Sequence, residues 1–118
     1  MEFTETLKKN HEFRRLYSKG NSAATPYLVI YARRGRRNRN RIGLTVSTKI
    51  GNAVTRNRVR RRLKELYRVH EGEFAPGMDI VIVARGRAVE AKHMQLERAL
   101  LGACSRLGLL REAGGERE

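Results

Sequence analysis

The sequence predicts an α+β domain, one sheet with helices packed against it, and three observations predict it. The chain has 118 residues, the length of about one domain. Apolar residues make up 40% of it, enough to close a core without disulfides or a structural metal at this size. Its hydrophobic pattern alternates between a helical and a strand period in the order helix, strand, strand, helix, strand, helix, which one helix-covered sheet accommodates most simply.

Residues 1–9 carry no pattern and read as frayed. Asn10 is a candidate N-cap for a helix over 11–18, with Glu12 in its first turn, Phe13, Leu16 and Tyr17 on one face, and Gly20 as its stop. Tyr27 to Arg33, rich in Val, Ile and Tyr and following Pro26, reads as a strand. Its alternation turns Tyr31 away from Ile30 without saying which face is covered. Residues 33–41 hold six arginines and Gly35, a basic loop. Between Arg41 and Ser47, Ile42, Leu44 and Val46 alternate with Gly43, Thr45 and Ser47, a strand with one buried face. Gly51 and Asn52 turn the chain into a long helix reaching about His70. Gly72, Pro76 and Gly77 mark a loop, and the apolar run Met78 to Ala84, interrupted only by Asp79, reads as a short central strand. A last helix spans about Val89 to Leu107, with the stripe Leu96, Leu100, Ala103 and Leu107 and Gly108 as its stop. The polar segment 111–118 reads as a disordered tail, which leaves 1–110 as the single domain.

Charge narrows the partner. Lys and Arg total 26 against 12 acids, a net charge of +14. Such a surface repels itself, a cost that a polyanion offsets. No run approaches the roughly 18 apolar residues of a membrane span, and no charged segment leads into an apolar signal core, so a cytoplasmic protein without a membrane partner is expected. Cys104, the single cysteine, excludes an internal disulfide, and its apolar helical setting reads as core.

The densest signal is Arg56-Asn57-Arg58-Val59-Arg60-Arg61-Arg62-Leu63-Lys64. At about 100° per residue, Val59, Leu63, Leu66 and Tyr67 share an arc of roughly 100°, and the basic residues take most of the remaining circumference. Solvated helices usually mix signs at i,i+4. Here Glu65 is the one acid between Arg56 and Arg68, and Arg56, Arg60, Lys64 and Arg68 repel in series. Arg56 and Arg58 also sit near the positive end of the helix macrodipole. Nucleic-acid phosphates would relieve each of these conflicts.

The run from Ile50 to Lys64, with Ala53 three residues before the Arg-Asn-Arg triplet, resembles the signature of the bacterial ribonuclease P protein subunit. Asn10 to Gly20, Ile42 to Lys49 and Asp79 to Ala84 resemble its first helix and flanking strands, so the resemblance spans about 10–107. It implies a small two-layer α/β sandwich with a mixed sheet, similar to domains of a ribosomal protein and elongation factor G, with a left-handed strand–helix–strand crossover. It also implies a non-catalytic protein that assists a catalytic RNA, with Mg²⁺ held through that RNA, in removing the 5′ leader of precursor tRNA. Arg56, Asn57, Arg58, Arg60, Arg61 and Lys64 match the motif that docks on the catalytic RNA. Phe13, Tyr17 and Tyr31 match aromatic positions of a cleft for the single-stranded leader, with Lys49 beside it. Some members carry basic residues where this chain has Ser47 and Thr48. The partners implied are ribonuclease P RNA and precursor tRNA, not DNA.

Other classes fit less well. A metal-dependent nuclease needs converging carboxylates, whereas the one aspartate is Asp79 and the glutamates are scattered. A metal-free ribonuclease wants paired histidines, and His11, His70 and His93 fall on three separate elements, each expected at a surface. A helix-turn-helix regulator needs two adjacent helices, and here strands flank the basic helix. A ribosomal or assembly protein shares the charge and size without requiring exposed aromatics.

Overall fold

The computed structural model describes residues 4–35 and 38–111. In chain order the elements are β1 (Thr4–Thr6), α1 (Asn10–Lys19), β2 (Asn21–Ala24), β3 (Leu28–Arg34), β4 (Asn40–Thr45), α2 (Ala53–His70), β5 (Met78–Ala84) and α3 (His93–Arg106). Short 3₁₀ turns at Thr48–Ile50, Glu71–Glu73 and Gly86–Ala88 link the later ones.

The strands form one mixed sheet in the order β1-β4-β5-β3-β2. β5 lies at its centre, parallel to β4 and antiparallel to β3, as the unbroken apolar run Ile80–Ala84 requires of a strand covered on both faces. α2 is the crossover between the parallel neighbours β4 and β5. Leu28, Ile30, Ile42, Ile80 and Ile82 turn to one face, where Val59, Leu63, Leu66 and Tyr67 of α2 and Leu96, Leu100, Ala103 and Cys104 of α3 close the main core. This is the expected sandwich. α1 lies on the other face, where Leu16 and Leu7 pack on Val81 with Phe13, Tyr31 and Val83 around them.

Two strands add to the expected order. Residues 1–9 read as frayed, but Thr4–Thr6 pairs in parallel with Asn40–Ile42. A buried relay fixes it. The Thr4 hydroxyl donates to the Glu71 carboxylate (2.6 Å), which leaves its oxygen to accept from the Tyr67 hydroxyl (2.7 Å). Asn21–Ala24, in what read as a loop, pairs with β3 as an edge strand in which only Ala23 is buried.

Helix ends also shift. Lys9, not Asn10, is the N-cap of α1, and Glu12 reaches back to its N–H (3.4 Å). Gly20 does end the helix, and its backbone is extended. A Cβ there would lie 2.7 Å from the Leu16 carbonyl oxygen and 3.0 Å from that of Ala32. Asn52 caps α2 through its side chain, accepting from the Thr55 N–H (2.9 Å). α3 starts at His93, four residues later than expected, with Lys92 as its extended N-cap. Cys104 is buried, and burial pushes its thiol up to about 12. Of the expected tail, Arg111 donates from its backbone to the Glu73 carbonyl (2.7 Å). Residues 112–118, and Arg36 and Arg37 of the basic loop, lie outside the described residues.

Candidate nucleic-acid interface

Three of the four residues assigned to the aromatic cleft come together on the α1 face. Tyr17 and Tyr31 meet edge to face, with ring centroids 5.0 Å apart. The Tyr17 hydroxyl is 2.8 Å from that of Thr45 on β4, so each ring is held while Tyr17 stays 40% exposed. The face of Tyr31, open from alternation alone, is thereby fixed. Its neighbour Ile30 is fully buried in the α2–α3 core, and Tyr31 lies half-buried on the α1 side.

Phe13 lies one turn before Tyr17. A Cβ on Gly43 would stand 2.5 Å from both the Cε1 and Cζ atoms of Phe13, so the ring rests directly on the β4 backbone. Leu16 is the core residue of the helix, at 2% exposure. Lys49 is exposed in the turn after β4 rather than within the aromatic cluster. Gly43 and Thr45 had no functional reading in the sequence. Their alternation with Ile42 and Leu44 placed them on the second face of β4, the one signal that pointed to them.

α2 sorts its cations into groups. Arg62 donates to the carbonyls of Ala88 (3.2 Å) and Ala91 and so ties the loop before α3. Burial, then the nearby charge of Arg58, lowers its guanidinium pKa. Arg68 pairs with Glu65. Neither belongs to a free cationic ridge, as their place in the run had suggested. Arg56 donates to the Gly51 carbonyl (2.9 Å), and Arg60 to the Asn57 side-chain oxygen (2.9 Å). Arg58, Arg61 and Lys64 have neither an acid nor a hydrogen-bond partner among the described residues. At about 100° per residue, Arg56, Arg60, Lys64 and Asn57 lie on the β4 side of α2, Arg58 lies on the α3 side, and Arg61 lies on the crest. The six motif residues therefore face more than one way.

The acids are largely engaged. Arg41 on β4 bridges Glu12 of α1 and Asp79 of β5. Burial pushes the Glu12 carboxyl up, and Arg41 together with the backbone N–H groups of Lys9 and Lys8 brings it below its ordinary value. His70 is not a simple surface residue. Its side chain is 13% exposed, with Nδ1 2.6 Å from Glu73 and Nε2 2.7 Å from Glu97. His11 and His93 are exposed, as expected. Among the described residues no group of three or more His, Cys, Asp or Glu side chains is placed to hold a metal ion, and no helix is long and apolar enough to cross a membrane.

Known proteins resemble the chain over nearly all of its length. The Ribonuclease P family model matches residues 1–108. The ribonuclease P protein component of Alkaliphilus metalliredigens is 43% identical over 93% of this chain and 99% of its own length. That of Natranaerobius thermophilus is 40% identical over 91% and 93%. The solved RNase P protein of Staphylococcus aureus superposes with a TM-score of 0.80 at 31% identity, covering 90% of this chain and 97% of that one. The one from Thermotoga maritima gives 0.76 at 26% identity, over 83% and 93%. With an arginine helix on one side of the β4 edge and a trio of held aromatic rings on the other, the chain belongs to the family of ribonuclease P protein components.

Proposed function

We propose that this chain is the protein subunit of ribonuclease P, binding the catalytic RNA through α2 and the turn before it, and the 5′ leader of precursor tRNA along α1. The observation that carries this reading is the pairing of two unlike surfaces on one domain. Arg58, Arg61 and Lys64 are cations without an acid or hydrogen-bond partner among the described residues; phosphates supply what they lack. Phe13, Tyr17 and Tyr31 are rings fixed in place yet partly open; unstacked bases pack on such rings without regard to sequence, the tolerance that many different leaders require. Lys49 lies beyond the end of β4, where it can meet a leader phosphate. Residues 1–110 act as one RNA-binding domain with 111–118 as its tail, in the cytoplasm.

The chain contributes binding rather than bond cleavage. Its acids Glu12 and Asp79 are held by Arg41, and Glu73 and Glu97 are held by His70. In this reading Mg²⁺ would be held by the RNA subunit, where it would supply the Lewis acid that activates water. Arg58, Arg61 and Lys64 screen phosphate repulsion between the two RNAs, and the rings hold the leader away from the scissile bond.

The test is stimulation of a bacterial ribonuclease P RNA at low Mg²⁺. Added protein increases precursor tRNA cleavage, and the gain shrinks when the leader is cut to one or two nucleotides. Equal gain with and without a leader removes the aromatic cleft from this reading. Cleavage by the protein alone removes the reading altogether.

A further inference from the structure

Between the two surfaces, β4 has a free edge. β1 covers it only from Asn40 to Ile42, and the last bond across runs from the Leu7 N–H to the Ile42 carbonyl (2.9 Å). Every second residue of a strand turns its N–H and C=O to the same edge, so Leu44 turns its pair toward that edge one step past the end of β1. No backbone group among the described residues pairs with it there.

A slot of about 260 Å³ opens at this point. Leu7, Phe13, Ile42 and Leu44 form its apolar walls, and Arg60 and Lys64 of α2 stand at its rim. Its size is below the roughly 300–1,000 Å³ typical of pockets for drug-sized ligands. An acyl chain would have no use for two cations and an open N–H/C=O pair. An added peptide strand needs a longer edge than Gly43–Thr45.

We infer that this slot takes one unstacked nucleobase of bound RNA. The ring lies among Phe13, Leu7 and Leu44, its polar edge meets the Leu44 N–H and C=O, and the adjoining phosphates lie on Arg60 and Lys64. The inference rests on the RNA-binding reading above and deepens it. Phe13 is a wall shared with the aromatic cleft, and Arg60 and Lys64 are shared with the arginine helix, so RNA passing between the two surfaces crosses the slot. The base comes either from the leader or from the catalytic RNA.

The first measurement uses the full free chain with labelled leucine methyls. Adenosine 5′-monophosphate should shift the methyl signals of Leu7 and Leu44, and ribose 5-phosphate should not. Thr6 is exposed and lines the slot, so Thr6→Trp should fill it and abolish those shifts. The paired change Arg60→Gln with Lys64→Gln touches no core residue; it should weaken the nucleotide and leave the response to adenosine unchanged. Equal shifts from ribose 5-phosphate, or adenosine binding that needs the two cations, would overturn the assignment.

The second measurement names the source of the base. In the holoenzyme, Thr6→Trp should weaken binding by roughly 5- to 150-fold, the worth of one stacked base. A loss confined to leader-bearing precursor assigns the base to the leader; a loss in subunit assembly assigns it to the catalytic RNA. Unchanged affinity in both, with stimulation at low Mg²⁺ intact, sinks the slot and leaves the proposed function standing.

Discussion

Gly43 lacks a side chain where Phe13 needs the space. Because a Cβ there would sit 2.5 Å from two ring atoms, Gly43→Ala must push the ring outward or shift β4. Overpacking of this kind costs about 1–3 kcal/mol. It should also weaken leader binding, because the displaced ring no longer stands in line with Tyr17 and Tyr31. If ring and glycine form one contact, the cost of Gly43→Ala should fall once Phe13 is already alanine, a coupling that a urea-denaturation double-mutant cycle reads directly. Additive losses would mean that the glycine serves the backbone alone. Composition and period placed Phe13 on a helix face and Gly43 on a strand, but nothing in the sequence put one on the other. Arg62 teaches the same lesson in reverse. It looks identical to its neighbours in a run of arginines, and only the fold brings the Ala88 and Ala91 carbonyls to it.

Elements were legible where their own residues carry the pattern. α2, β5 and the stripe of α3 announce themselves because burial on a helix or on a central strand leaves a periodic trace. β1 and β2 leave none. Thr4–Thr6 holds no large apolar residue, and its place depends on pairing with a strand some 36 positions away and on the Tyr67–Thr4–Glu71 relay. β2 is Asn-Ser-Ala-Ala, poor strand formers for the most part, and it is held by pairing with β3, by Ala23 in the core and by Arg106 of α3 donating to the Ala24 carbonyl. The junction of α2 and α3 depends on a group whose character the sequence also hid. Burial opposes charge on His70, yet its hydrogen bonds to Glu73 and Glu97 outweigh burial and raise its pKa above the ordinary imidazole value. A raised folded value means that the stabilisation is fully present below the unfolded imidazole pKa of about 6.5 and is lost as pH climbs through the folded one. Glu73 is 57% exposed and Glu97 33%, so solvent screens the pair and the effect belongs to the scale of about 0.2–1 kcal/mol. Comparing urea midpoints of the wild-type chain and His70→Gln should show the largest gap on the acid side of about pH 6 and a narrowing gap toward alkaline pH. A gap that widens as pH rises would mean that the imidazole is held neutral.

For the molecule as a whole, the excess charge of +14 is a statement about RNA only if specific cations meet phosphates. The sequence showed the size of that excess without showing its direction. The fold turns Arg60 and Lys64 toward the β4 edge and Arg58 toward α3, and it commits the Arg62 guanidinium to the Ala88 and Ala91 carbonyls. If one RNA wraps both flanks of α2, Arg58→Ala and Lys64→Ala should each reduce the slope of log K against log salt by up to about 0.7–0.9, and the double variant by the sum. Arg62→Ala should leave that slope unchanged while lowering stability by about 1.5–3 kcal/mol, because it removes charged donors from two carbonyls. If only one flank touches RNA, the variant on the other flank will bind with wild-type salt dependence. Filter-binding titrations across a salt series therefore separate a helix that lies in a groove of RNA from one that rests against a single phosphate ridge.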